Sequence, residues 1–439
     1  SHTGAMAGSD RMYDAFFQAL GVIRVRHFSD LLDVPAALAT GRRLPGQRVA
    51  ILTSTGGAGT LVSDELGLAG FETPAPDAAT AATLRALNAG TEAVLDRNPI
   101  DVTLAGLRPD LLRGAISTLL ASPSYDALTI IVGSSGLAQP ELMAGALQDC
   151  LPASDKPVFA YVSPHAPEVA RLLTQRGVPA YFAAESCAAA FSALAHVREF
   201  KVPADVPQQA HPQPKTLPGV GSLDEAQAKQ WFAQHGIASV REQVVSGPEE
   251  ARAAATSLGP RVVLKMLSSH ITHKSDVGGV AVGVSVEDLP HRLQQMSDEV
   301  SSATGTRPHR FLVQEMVTGG AEMILGLHRD ALGTAILLGM GGVTAELFQD
   351  TCLRMLPQQG GLSREDALSM AQQLKSWPLL DGYRGRPRLD VEALVEAIVA
   401  FSTLAAQWGE QVIEAEINPL FVLPRGQGVK AADGVAVLA

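Results

Sequence analysis

Cysteine is nearly absent from this chain. Three residues, Cys150, Cys187 and Cys352, stand far apart in 439. That spacing excludes a disulfide framework and a cysteine-based metal site, and it fits a reducing cytoplasm. Positive charge is also short, with 34 Lys and Arg against 45 Asp and Glu, a net charge of -11. Nucleic acid and anionic membranes both require a basic face, so neither is expected as a main partner. No apolar run approaches the ~20 residues of a membrane span, and no signal peptide opens the chain. Aromatics make up only 5%, and no internal repeat is visible. What is present, 46% hydrophobic and 18% charged with a bias to alanine, is the composition of a globular protein with room for two or three domains.

The pattern along the chain predicts an α/β architecture. Asp10 to Leu20 is amphipathic, Val22 to Val25 is strand-like, and Phe28 to Leu38 is helical again. From residue 44 to residue 200, short β-branched runs alternate with alanine-rich helical stretches. The runs are Arg48 to Leu52, Leu128 to Val132 and Pro157 to Val162. That alternation predicts a doubly wound parallel sheet. Residues 201–217 form a proline-rich linker, and 218–439 a second domain with an opening helix over Leu223 to His235.

Several short segments could carry chemistry. His2 lies in the opening run Ser1-His2-Thr3-Gly4-Ala5-Met6-Ala7-Gly8, and His273 opens the stretch His273-Lys274-Ser275-Asp276-Val277-Gly278-Gly279. A neutral imidazole can accept a phosphoryl group and pass it on, so two such histidines suggest a relay. Thr53 to Gly59, with Gly56 and Gly57 at its centre, follows a strand and precedes a helix. Its amides could face an anion, or its glycines could serve only a tight turn. Asn98-Pro99-Ile100-Asp101 reads as a turn before a strand. Lys265 ends a strand and could aim its ammonium at a phosphate, or simply extend to solvent. Backbone at Glu315 and Met316 could meet an adenine and Glu322 a ribose; an ordinary hairpin with exposed acids is the plainer reading. Gly341 and Gly342 follow an apolar strand, with Glu346, Asp350 and Arg354 beyond. In a strand Glu416 and Asn418 point to one face, and with Asp433 they offer the hard oxygen donors that suit Mg²⁺.

In this order the segments resemble those of the ADP-forming (NDP-forming) acyl-CoA synthetases, relatives of succinyl-CoA ligase. Gly382-Tyr383-Arg384-Gly385 is another run of that kind, and the resemblance covers nearly the whole chain. It implies that residues 1–43 are the tail of a succinyl-CoA-ligase-like domain carrying a phosphohistidine segment. Residues 44–200 would be a flavodoxin-like ligase domain and 218–439 an ATP-grasp domain. By the same resemblance His2 takes a phosphoryl group from an acyl phosphate, and His273 carries phosphate to or from the nucleotide. Lys265, Gly278 and Gly279 would hold nucleotide phosphates, and Glu315, Met316 and Glu322 would surround adenine and ribose. Glu416 would steady a phosphohistidine, and Asn418 and Asp433 would hold Mg²⁺. Gly56, Gly57, Gly341, Gly342 and Arg354 are further phosphate-binding candidates.

The implied activity is reversible formation of acyl-CoA from a carboxylic acid, CoA and ATP, giving ADP and phosphate, in a cytoplasmic oligomer. Members of that family carry a CoA-binding domain ahead of the phosphohistidine segment, so this sequence is expected to be a piece of a longer polypeptide. Alone it should bind nucleotide without completing the reaction. A ligand-sensing module fused to an acetyltransferase, or another ATP-grasp ligase, are the rival readings. The two histidines speak against the first, and the middle domain against the second.

Overall fold

The computed structural model describes residues 10–87, 93–103, 107–134, 138–200, 217–268, 274–342 and 350–439. The chain divides into two compact units, Gly21–Val202 and Ser1–Leu20 with Pro203–Ala439.

In the unit Gly21–Val202, five strands run parallel in the order β2-β1-β3-β4-β5. They are β1 (Val49–Thr53), β2 (Ile100–Asp101), β3 (Ala127–Val132), β4 (Val158–Val162) and β5 (Ala180–Tyr181). This is the flavodoxin-like order, with its switch point between β1 and β3. Strands β1, β3 and β4 are buried along their whole length, because helices cover both faces of the sheet. Alternation therefore feeds two cores. Ala50 and Leu52 enter one, Val49 and Ile51 the other. Several of the scarce aromatics gather in the second, where the Phe159 and Phe191 rings meet at a tilt with centroids 4.6 Å apart.

The helix Asp30–Leu38 also belongs to this unit. Ala37 and the following Leu44 join the second core against the helix Ala184–Glu199. The division by contacts falls at residue 20. Val22 to Val25, expected as a strand, forms none.

The other unit is built on two antiparallel sheets. The smaller has the order β7-β10-β8-β9, from β7 (Glu242–Val245), β8 (Arg261–Met266), β9 (Val280–Ser285) and β10 (Phe311–Glu315). Helices Pro248–Leu258 and Leu289–Thr304 close its core. The larger has the order β13-β12-β11-β14-β16-β6, with β15 added to β14. Its strands are β6 (Gly221–Ser222), β11 (Ala321–Asp330), β12 (Gly333–Met340), β13 (Thr351–Met355), β14 (Val412–Val422), β15 (Val429–Ala431) and β16 (Gly434–Leu438).

Helices Glu225–Gln234, Arg364–Gln372 and Val391–Trp408 cover the larger sheet. The last of these is long and apolar enough to cross a membrane by composition. Its Leu394, Ile398, Phe401 and Leu404 are nevertheless fully buried, so it serves as the core helix of this unit. The helix Asp10–Leu20 lies along β13, where Arg11 donates to the Thr351 carbonyl at 2.9 Å. All three cysteines are buried and free, and burial pushes the Cys187 thiol well above its ordinary range.

Candidate functional site

The two faces of the larger sheet have different jobs. Met323 and Leu325 of β11 enter the helix-covered core, so Glu322 and Gly326 face the other way. Gly326 pairs with Glu416 of β14, which places Glu416 on that open face. The register slips between the pairs Met323–Leu420 and Leu325–Ile417, and Asn418 sits in this bulge. Its amide donates to Glu416 Oε1 at 3.4 Å, so the pair expected to share a face is in contact.

Gly341 and Gly342 close over this pair. The Gly341 N–H donates to the Glu322 carbonyl at 2.8 Å, and the Gly342 N–H reaches Asn418 Oδ1 at 3.5 Å. A Cβ on Gly341 would stand 2.8 Å from the Met323 backbone. One on Gly342, at φ +66°, would meet Glu322 Oε2 at 2.1 Å. Glycine is required here by a close approach of two strands.

Where the two sheets meet, Lys265 leaves β8 into a buried ionic cluster. Its ammonium donates to Glu225 Oε1 at 2.8 Å, to Asp433 Oδ2 at 2.9 Å and to the Ala432 carbonyl at 2.9 Å. Lys229 donates to Glu225 Oε1 at 2.9 Å and pairs also with Glu242. Lys274 donates to Glu225 Oε2 at 2.6 Å, and the Gln314 amide bridges Glu225 and Glu242 at 3.0 and 2.8 Å. Burial would raise the Glu225 carboxyl, but Lys265, Lys229 and Lys274 outweigh it and hold the group well below the usual carboxylate range. Burial would likewise lower Lys265, and Glu225 and Asp433 overcome that, so its ammonium stays charged.

Beside the cluster, Glu315 is tied down by Arg241 at 2.7 Å and Lys430 at 2.6 Å. Burial alone would raise it; these cations and the Arg241 N–H bring it down to about 2. Met316 is exposed next to Gly283, Gly279 packs the turn after Lys274 against Met266 of β8, and Gly278 (φ +74°) lies beside Glu299.

Glu416 behaves in the opposite way. Burial, with the charges of Glu414 and Asp433, raises its carboxyl, and the Asn418 amide offsets this only in part. Asp433 is therefore close enough to be felt by Glu416, which joins the lysine cluster to the Glu416–Asn418 pair. Among the described residues no group of three or more His, Cys, Asp or Glu could hold a metal by itself. Glu416, Asn418 and Asp433, the last shared with Lys265, instead supply a few oxygens, which fits a Mg²⁺ that completes its shell with phosphate and water.

A raised carboxyl costs stability above its unfolded value and ceases to do so as pH falls below it. Glu416→Gln is accordingly expected to raise the melting temperature of the metal-free protein at pH 7, with the gain disappearing near pH 4. Thermal unfolding at the two pH values checks this.

The structure brings together Lys265, Asp433, Glu416, Asn418, Glu322, Gly341 and Gly342, with Glu315, Met316, Gly278 and Gly279 on the adjoining sheet. Arg354 does not join them. From β13 it pairs with Ile336 of β12, a core residue, and donates to Ser369 of the covering helix at 3.2 Å, so it lies on the opposite face from Glu416. Gly56 and Gly57 open the helix Gly56–Leu68 at the end of β1, in the other unit, with Asp101 Oδ2 the nearest group to Gly56. The Thr53 hydroxyl pins that turn through Thr55, accepting from its N–H at 2.8 Å. His2, His273 and Glu346 lie outside the described residues. Glu225, Lys229 and Gln314 carry no signal in the sequence. Glu225 and Lys229 are spaced as an ordinary surface pair on a helix, and only the meeting of the sheets buries them.

Two antiparallel sheets meeting over a buried strand lysine, beside an acid–amide pair and a glycine turn, define a class of phosphate-handling domain. The ATP-grasp domain family matches residues 218–438, and a succinyl-CoA ligase-like flavodoxin domain matches residues 1–38. The chain is 30% identical to the β subunit of an ADP-forming acetate–CoA ligase II from Pyrococcus furiosus, over 50% of this chain and 93% of that one. It is 29% identical to the ADP-forming acetate–CoA ligase I of Archaeoglobus fulgidus, over 98% of this chain and 62% of that protein. A solved chain of Ca. Korarchaeum cryptofilum acetyl-coenzyme A synthetase 1, described in complex with coenzyme A and Ca-AMPCP, is 34% identical. That likeness covers 50% of this chain and 94% of the other, with a TM-score of 0.46. This chain belongs to the ATP-grasp family, in its branch of ADP-forming acyl-CoA synthetases. It spans about 62% of the length of the full-length relatives it matches.

Proposed function

We propose that this chain binds Mg·ATP in its ATP-grasp unit and passes phosphate through histidine, as part of a cytoplasmic, oligomeric acid–thiol ligase. The overall reaction would join a carboxylic acid to CoA, with ATP going to ADP and phosphate. One observation carries the reading: Lys265, Asp433, Glu416, Asn418 and the Gly341–Gly342 turn converge where the two sheets meet. Phosphoryl transfer asks a protein mainly for positioning and charge neutralisation, and those groups supply both.

In this reading Lys265 neutralises nucleotide phosphate oxygens, and Gly278 and Gly279 let the loop approach them. Glu315, Met316 and Glu322 flank adenine and ribose. Asn418 and Asp433 hold Mg²⁺, which when bound supplies charge neutralisation at the phosphates. Glu416 orients the histidine that receives phosphate. A histidine nitrogen attacks the γ-phosphorus, the bond to the bridging oxygen breaks, and ADP leaves with that oxygen's electron pair. Gly56 and Gly57, at the uncapped start of their helix, would seat the phosphate at a second station. Arg354 is left without a place in this scheme.

The reading is tested by incubating the chain with Mg²⁺ and γ-labelled ATP, wild type beside His2→Ala and His273→Ala. Acid-labile, base-stable label is expected in the wild type, and its loss in one variant names the acceptor. Tight ATP binding with no label in any form would favour a ligand-sensing module instead.

A further inference from the structure

Lys265 has two carboxylate partners, and they differ in one respect. The Asp433 side chain is 29% exposed and can turn toward solvent, whereas Glu225 is 0% exposed and cannot. Glu225 is the first residue of its helix, and that helix start is locked by a reciprocal capping box between Asp224 and Gln227. Asp224 is further held by Arg310 at 3.0 Å. The carboxylate therefore has a fixed place on a rigid element. Lys229 and Gln314 have Glu242 and the Ala432 carbonyl as additional acceptors. Lys274, by contrast, is paired to Glu225 itself, and it stands at the start of the turn that Gly278 and Gly279 close.

We propose that Glu225 is a positioning residue for the nucleotide phosphates, setting the Lys265 ammonium with one carboxylate oxygen and tethering the Lys274–Gly279 turn with the other. The inference rests on the reading of Lys265 as the phosphate-binding lysine. When Asp433 turns to a metal ion, Lys265 keeps Glu225 as a permanent partner, so its charge and direction survive the exchange. A buried ammonium that loses its carboxylate gives up its proton more readily, and this distinguishes positioning from a merely structural ion pair.

The test is calorimetric titration of the whole chain with Mg·ADP between pH 6.5 and 9.5, on wild type, Lys265→Met, Glu225→Gln and Lys274→Met. Wild-type affinity is expected to be flat across that range. Glu225→Gln should bind ~10-fold more weakly at pH 7, less than loss of the lysine itself because Glu225 acts through Lys265, and weaken further as pH rises. A Glu225→Gln protein with a native thermal transition, wild-type affinity and a flat profile would overturn the proposal. If Lys265→Met itself binds normally, the nucleotide reading fails first, and the proposal with it. Should Glu225→Gln not fold, Lys274→Met decides the matter by hydrogen exchange. Faster exchange over residues 274–279 at an unchanged melting temperature is expected, and unchanged exchange would sink the tether.

Discussion

Lys265→Met is expected to weaken Mg·ATP binding by about 100-fold, the scale of removing one charge-assisted hydrogen bond to phosphate in a desolvated site. It should also lower stability by ~2–4 kcal/mol, because Glu225 and Asp433 lose a buried counter-charge. Lys265→Arg should recover little of the binding, since a planar fork cannot replace a compact ammonium donating in three directions to Glu225, Asp433 and the Ala432 carbonyl. Calorimetry for the nucleotide and urea unfolding for stability separate the two effects.

The same cluster sets how stability depends on pH. Glu225 is depressed in the folded state, so its contribution is complete above the unfolded carboxylate value of roughly 4. It is lost as pH falls through the lower folded value. Lys265 is raised, so its contribution is complete below the unfolded lysine value of about 10.4 and is lost only as pH rises through the higher folded one. In Lys265→Met the acid flank should move toward neutral pH, because Glu225 loses one of the cations that depress it, and the alkaline loss tied to Lys265 should disappear with the amine.

The second large effect is expected from Gly341→Ala. The added methyl would stand 2.8 Å from both the carbon and the oxygen of the Met323 peptide, and 3.2 Å from Asn418 Oδ1. Those first two atoms belong to a buried strand that pairs on both sides, so they cannot yield as a side-chain tip would. The turn must lift instead, breaking the 2.8 Å bond from its own N–H to the Glu322 carbonyl. A cost of ~2–4 kcal/mol follows from overpacking together with a broken buried hydrogen bond. Nucleotide binding should fall as well, because the turn covers Asn418. Chemical denaturation and ATP titration on one preparation measure both; a variant with wild-type stability would show that the turn relaxes freely.

Much of this could be read from residues alone, and the failures have physical causes. The β-branched runs around Ile51, Ile130 and Phe159 announced buried parallel strands because a sheet covered on both faces needs apolar side chains at every position. Glu416 and Asn418 were legible as a pair because strand alternation has a fixed period, and they remain in contact even though a bulge interrupts the ladder there. Val22 to Val25 misled because strand propensity has meaning only beside a partner edge. The facing of Arg354 was not legible because it depends on register with β12, which no spacing in the sequence discloses.

The sequence by itself determined the order of the segments, the parallel sheet of its first half, and the residue types that can handle phosphate, since these follow from local periodicity and side-chain chemistry. Only the tertiary structure decided which acids and bases lose their water. Glu225 and Lys229 sit four apart like any solvated helical pair, and they became the centre of a buried network because two sheets close over them. Lys265 reaches Asp433 across 168 residues of chain. Desolvation and long-range pairing belong to the packed fold, and it is those that turn ordinary charges into a site.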